Sequence, residues 1–259
     1  MRRATAMSDE SLGRSDPGPH IPPIVRSPLD ALGSEVLCNY ILLVATDLIV
    51  TLDGPSGTGK STVSRLLARR LGIPFLDTGA FYRAATLAAL AGGADLSDAE
   101  DVGRIVSEAE FSQRGDTMIL NGEDVSEPIR SAEVTSHVSE VSAHASVREL
   151  LVGHQRAWLD AHGRQAVVEG RDIGSVVFPN ASHKIYLDAR PDVRAARRVN
   201  QVGDQDMAEV LADIRRRDHL DSTRAASPLT IPDGAIIVDT SDLDVDQVVD
   251  SIMALVTDS

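Results

Sequence analysis

The chain has 259 residues, 42% apolar and only 3% aromatic, and a formal net charge of −14. That length suits one large domain or a core with a small insert, and an aliphatic, alanine-rich core suits α/β layers better than a β-sandwich. So negative a balance excludes a general nucleic-acid or anionic-membrane binder, which needs clustered cations, while leaving room for a local basic pocket.

Residues 1–46 read as a disordered extension, with Pro17, Pro19, Pro22, Pro23 and Pro28 among Ser, Gly, Asp and Arg and no apolar period. The run "VLCNYILLVATDLIVTL" (36–52) is broken by Asn39, Thr46 and Asp47. It is too short for the roughly 20 apolar residues of a membrane span, and its last residues are needed as a strand. Cys38 is the only cysteine, which rules out an intrachain disulfide and fits a reducing, cytoplasmic setting.

"LIVTL" (48–52) predicts a strand buried on both faces. "STVSRLLARRLG" then spaces Val63, Leu66, Leu67 and Leu71 at helical intervals and stops at Gly72. Between them lies Gly54-Pro55-Ser56-Gly57-Thr58-Gly59-Lys60-Ser61, followed by Thr62, which fits G-x-x-x-x-G-K-[ST], the P-loop. Glycines let successive backbone N–H groups turn toward a phosphate, and the next helix adds its free N–H groups and positive dipole end. Lys60 is placed to reach β- and γ-phosphates and Ser61 to hold Mg²⁺, so the loop binds a nucleoside triphosphate.

Further along, the patterns predict strands at 74–76, 166–169, 184–188 and 235–239. Helices are expected at 79–91, 98–109, 147–161, 191–200, 206–220 and 244–256. "DTMILNGEDVS" (116–126) reads as a hairpin around Asn121-Gly122, followed by a helix from about 128 that carries Ser139. Strand–helix alternation points to a parallel sheet.

The loop does not say where the γ-phosphoryl goes. A GTPase switch needs an N-K-x-D guanine reader, and neither lysine, Lys60 or Lys184, offers one. A mechanical ATPase would show an apolar strand ending in Asp-Glu. The runs ending at Asp53, Glu169, Asp188 and Asp239 do not continue that way, and a strand-end acid is as readily a helix cap. A small-molecule kinase needs a second anion site and a cover that keeps water off the γ-phosphate. "FLDTGAFYR" presents Tyr82 and Arg83, "AVVEGRDIG" presents Glu169, Arg171 and Asp172, and residues 189–224 form an arginine-dense helical pair. That pair has the composition of a phosphate-closing lid, or of a solvated helix face.

"DGPSGTGKST", "FLDTGAFYR", "GEDVSEPIR", "VEGRDIGSVVFP", "KIYLDA" and "RRRDHLDSTRAASPL" occur in this order. Together they resemble bacterial cytidylate kinases, which move a phosphoryl group from ATP to CMP or dCMP, over about residues 48–256. The resemblance implies a P-loop NTPase α/β fold over 47–259. Its parts would be a five-stranded parallel sheet flanked by helices, a small CMP-binding insert near 110–145 and an arginine lid near 190–224. It implies ATP and Mg²⁺ as cofactors, a monomer, and no nucleic-acid or membrane partner. Arg83, Arg171 and Arg224 would bind the CMP phosphate, and Arg217 and Asp221 its ribose. Ser139, Arg148 and Asp172 would face the cytosine, with Thr78 and Tyr82 nearby. Arg197 would approach ATP, and Lys60, Arg171, Arg217 and Arg224 form the implied catalytic set. The lid middle, "NQVGDQDMAEV", is shorter than the family pattern, and the extension lies outside it.

Overall fold

The computed structural model describes residues 47–202 and 206–257. The chain divides into two units, 1–45 and 46–259. The expected extension at 1–46 lies outside the described residues, as do 203–205 of the lid's short middle, 200–210.

β1 (Leu48–Asp53) is the hub. Its alternation sends Ile49 to one face of the sheet and Val50 and Leu52 to the other, so each face gathers its own core. Thr51 and Asp53 share Ile49's side and are fully buried. β2 (Phe75–Asp77), β6 (Gln165–Glu169), β7 (His183–Asp188) and β8 (Ile236–Asp239) complete a five-stranded sheet in the order β2-β6-β1-β7-β8. Every pairing in it is parallel, with Leu52 opposite Glu169 and Asp53 opposite Tyr186. All five expected strands are present within a residue or so of their expected ends.

α1 (Lys60–Leu71) packs Val63 and Leu67 beneath the sheet beside α8 (Val245–Thr257). It stops at Gly72 (φ 67°), where Ile73 N–H reaches back to the Ala68 carbonyl. On the other face lie α2 (Thr78–Ala91), α3 (Ala99–Glu108) and α5 (Ala145–Ala161), interlocking through Phe81, Ala85, Val102, Val147 and Leu151. α6 (Pro191–Val202) and α7 (Met207–Thr223) form the arginine-dense pair, joined by a small core of Ala195, Val210 and Ile214.

The insert departs from expectation in two places. It has three antiparallel strands, β3 (Phe111–Arg114), β4 (Thr117–Leu120) and β5 (Glu123–Asp124), where a single hairpin is expected. Asn121 (φ 51°) and Gly122 (φ 85°) do make the β4–β5 turn. β3 hides because its inward positions are Phe111 and a glutamine, Gln113, so the apolar alternation never shows. Second, Pro128–Arg130 is a single tight turn, and the helix, α4 (Ala132–Val141), begins later. Ser131 breaks the run and accepts the Val134 N–H at 3.2 Å, the N-cap preference overriding continuous helix. Among the described residues no helix is long and apolar enough to cross a membrane.

Candidate active site

The P-loop joins β1 to α1, and its geometry depends on glycine at two points. Gly54 has φ 140°, and a Cβ there would lie 2.1 Å from the Leu187 carbonyl oxygen. Gly57 has φ 83°, with a Cβ position 3.0 Å from Cβ of Arg194. Lys60 opens α1 and is buried; its Nζ donates to the Pro55 carbonyl at 2.7 Å and lies 3.5 Å from Thr58 Oγ1. Burial, and then the charge of Arg171, push the Lys60 ammonium well below the usual lysine range, against the pull of Glu169 and Asp53. Glu169 is driven upward by burial and then by Asp77, with Lys60 and Ser61 opposing. Ser61 and Thr62 are exposed at the loop's end.

Two lid arginines hold the loop from behind. Arg194 is buried and shares one Nη1 between the Ser56 carbonyl (2.9 Å) and Asp218 of α7 (2.6 Å), while its Nε donates to the Ala189 carbonyl. Arg197 donates to Thr240 Oγ1 at 3.0 Å and to the Thr240 carbonyl at 2.5 Å, and approaches the Thr58 carbonyl at 3.4 Å.

Beyond the strand ends lies a cavity. Its lining includes Thr78, Tyr82, Arg83, Ser139, Arg148, Arg171, Asp172, Arg217, Asp221 and Arg224. All ten side chains that the resemblance implies for the acceptor meet there, from α2, α4, α5, the β6 exit and α7, joined by Gly79, Val138, Ser142 and Gly170. One end of the cavity pairs its charges. Arg148 binds the Asp172 carboxylate, stacks over the Tyr82 ring with its centre 5.2 Å from the centroid, and donates to the Ser142 carbonyl. Arg224 lies 3.6 Å from the other Asp172 oxygen. Burial pushes the Tyr82 phenol up to about 12.

The other end has an excess of cations. Arg171 donates to Asp221 at 2.9 Å. Asp221 is therefore held below the usual carboxylate range although burial works the other way. Arg83 and Arg217 converge on the same space. Burial, then Arg217, lowers Arg83 to about 10, and burial, then Arg171, lowers Arg217. Arg217 Nε and Arg224 Nη2 are buried without a hydrogen-bond partner. Crowded guanidiniums with unspent donors are the electrostatic complement of a phosphate dianion.

The roles of three functional candidates escaped sequence reasoning. Asp53 stood out only as a strand-end acid; its carboxylate is fully buried at the root of the P-loop, and burial raises it to about 6. Glu169, which the sequence presents with Arg171 and Asp172 as part of a second anion site, interacts instead with Lys60 and Ser61 of the P-loop, and its Oε1 is a buried acceptor with no partner. Arg194 was one arginine among many in the lid. The only signal for Asp53 and Glu169 was an acid ending a strand buried on both faces.

The family model described as cytidylate kinase matches residues 50–258. A "Cytidylate kinase" of Rhodococcus opacus (strain B4) is 52% identical over 222 residues, spanning 82% of this chain and 96% of the relative. Proteins of that name from Mycobacterium leprae (strain Br4923), 51% identical over 215 residues, and Corynebacterium glutamicum, 52% over 220, cover 82% of this chain and 96% and 95% of their own. Among solved structures, a gluconokinase from Sinorhizobium meliloti 1021 is similar at TM-score 0.44, with 16% identity over 82% of this chain and 93% of that one.

Proposed function

The chain belongs to the cytidylate kinase family, a phosphotransferase acting on CMP and dCMP, and we propose that the two halves of the site divide donor and acceptor between them. The P-loop from Gly54 to Thr62 holds the triphosphate of ATP, with main-chain N–H groups and Lys60 on its terminal phosphates and Arg197 at the outer side of the loop. The cavity holds the monophosphate. Its phosphate lies on Arg83, Arg171 and Arg224, its ribose against Arg217 and Asp221, and its base toward Ser139, Arg148 and Asp172, with Thr78 and Tyr82 alongside. The observation that carries this reading is the convergence of all ten acceptor side chains on one cavity lining.

A phosphate oxygen of CMP attacks the γ-phosphorus of ATP. The bond from that phosphorus to the β,γ-bridging oxygen breaks, giving CDP and ADP. Two polyanions must approach in line, so catalysis is mainly positioning and charge neutralisation. Lys60, Arg171, Arg217 and Arg224 supply the cations, and a strong base is not required. Cytosine offers an amino donor to Asp172, and acceptors to the donors of Ser139 and Arg148. UMP turns a carbonyl toward that carboxylate, which disfavours it by on the order of 10²-fold.

Mg²⁺ fits here through the chain's own oxygens. Ser61 Oγ would bind the ion, and the partnerless Oε1 of Glu169 would accept from its water shell. No group of three His, Cys, Asp or Glu side chains gathers among the described residues, so phosphates and water would complete the shell. When bound, the ion neutralises charge on the β- and γ-phosphates.

The site draws on one chain alone, which supports a working monomer; light scattering at micromolar concentration checks it. The single cysteine and the need for ATP support a cytoplasmic setting. An ADP-release assay with CMP, dCMP, UMP and AMP tests the acceptor assignment. CMP and dCMP are expected to turn over well ahead of the others, and equal rates with AMP would defeat it.

A further inference from the structure

Asp53 ends β1 immediately before the P-loop, yet its carboxylate is hydrogen-bonded to a segment far along the chain. Oδ1 accepts the N–H of Ile173 at 2.7 Å and Oδ2 accepts that of Gly174 at 2.8 Å. These amides open the wide helical turn Ile173–Val177, whose preceding residue, Asp172, has no side-chain cap bond of its own. A carboxylate from a strand 120 residues earlier therefore caps that turn.

The contact is part of a seam. Leu52 pairs with Glu169, and the N–H of Gly170 donates to the Leu52 carbonyl at 3.0 Å. Arg171 and Asp172 come next, and then the two amides held by Asp53. The acceptor-cavity pair is thus fastened on both sides to the last two residues of the strand that runs into the P-loop. The far side is tight as well. A Cβ on Gly174 would stand 2.8 Å from Thr51 Oγ1, 3.1 Å from Pro232 and 3.2 Å from Asp53 Oδ2. Nothing larger than glycine brings the turn this close. Asp53 also feels Lys60 and Asp172, so charge balance for Lys60 is the rival role.

We propose that Asp53 is a positioning residue for the acceptor: by clamping Ile173 and Gly174 it sets where Arg171 and Asp172 present their side chains to CMP, in fixed register with the donor loop. This rests on the assignment of Arg171 and Asp172 to CMP above. Asp53→Asn exchanges one acceptor oxygen for an NH₂ facing an N–H, and Gly174→Ala pushes the turn off the same carboxylate from the other side.

The test uses the full chain, with CMP kinetics and calorimetric titration of ATP. Each variant is expected to raise the CMP KM about tenfold, the cost of one charge-assisted hydrogen bond, while the ATP Kd moves less than about twofold. The double variant should be little worse than either single, because both break one contact. Equal loss of ATP and CMP affinity would overturn the proposal in favour of Lys60 balance. A lowered melting temperature with both constants unchanged would also overturn it, leaving only a structural cap. Asp172→Ala, run alongside, tests the underlying assignment separately. If that variant keeps wild-type CMP KM and CMP/UMP ratio, the assignment of the cavity fails whatever Asp53 does.

Discussion

Lys60 is buried, with its ammonium on the Pro55 carbonyl, and the role proposed for it is chemical rather than structural. Lys60→Met keeps the stem's bulk and removes the charge. A coupled assay should show kcat reduced by on the order of 10³-fold or more, since charge neutralisation is the main catalytic term. The melting temperature should hold or rise, because a desolvated cation is lost. Asp172→Ala should act on selectivity. The CMP/UMP ratio of kcat/KM is expected to fall by on the order of 10²-fold, and an unchanged ratio removes Asp172 from base reading. The same variant leaves the buried Arg148 guanidinium without its carboxylate, so some stability should go with it. Glu169→Gln should weaken Mg²⁺-dependent ATP binding in calorimetry while leaving metal-free ATP binding near wild type. Equal weakening of both would detach Glu169 from the ion.

Among elements, the insert depends on one polar pin. Gln113 accepts the Asp77 N–H at 3.0 Å and donates to the carbonyls of Phe75 (2.8 Å) and Gly115 (2.7 Å). It ties β3 to β2 and to the residue that caps α2, where Asp77 accepts the Ala80 N–H. Gln113→Ala strands three main-chain groups in a buried seam and should cost about 2–3 kcal/mol in urea unfolding; a loss under about 0.5 kcal/mol would show that water replaces the side chain. The amphipathic helices and the Asn121-Gly122 turn were legible because their signals are local. β3 was not, because its inward glutamine gains a reason to be buried only from strand β2. The start of α4 was misread for the opposite reason: a local cap at Ser131 outweighed a permissive run.

At the scale of the whole molecule, Asp53 links stability to pH. Its carboxyl is raised from 3.8 to about 6 by burial, which outweighs its two amide bonds. The folded state therefore binds its proton more tightly than the unfolded chain does. The contribution is fully present below the unfolded pKa and is lost as pH rises through about 6. Wild type should lose about 2 kcal/mol relative to Asp53→Asn between pH 4 and 7. Chemical denaturation of both proteins at the two pH values checks this, and a gap that stays constant or widens toward high pH contradicts it.

The order strand, glycine loop, helix was fixed by neighbours in the chain, because φ freedom at Gly54 and Gly57 and the apolar period of α1 act over a few residues. So were the sheet's strands, whose short apolar and β-branched runs stand out from the turn residues around them, although only β1 and β6 are buried along most of their length and β8 leaves Ile236 and Ile237 exposed. The arginines could be named from motif, yet not why some line the cavity and others brace the fold. Arg194 meets Ser56 from 138 residues away, and Asp53 meets Ile173 from 120. Only folding removed water from those groups, and desolvation is what turns an ordinary acid or base at a strand end into a clamp or an anion receptor.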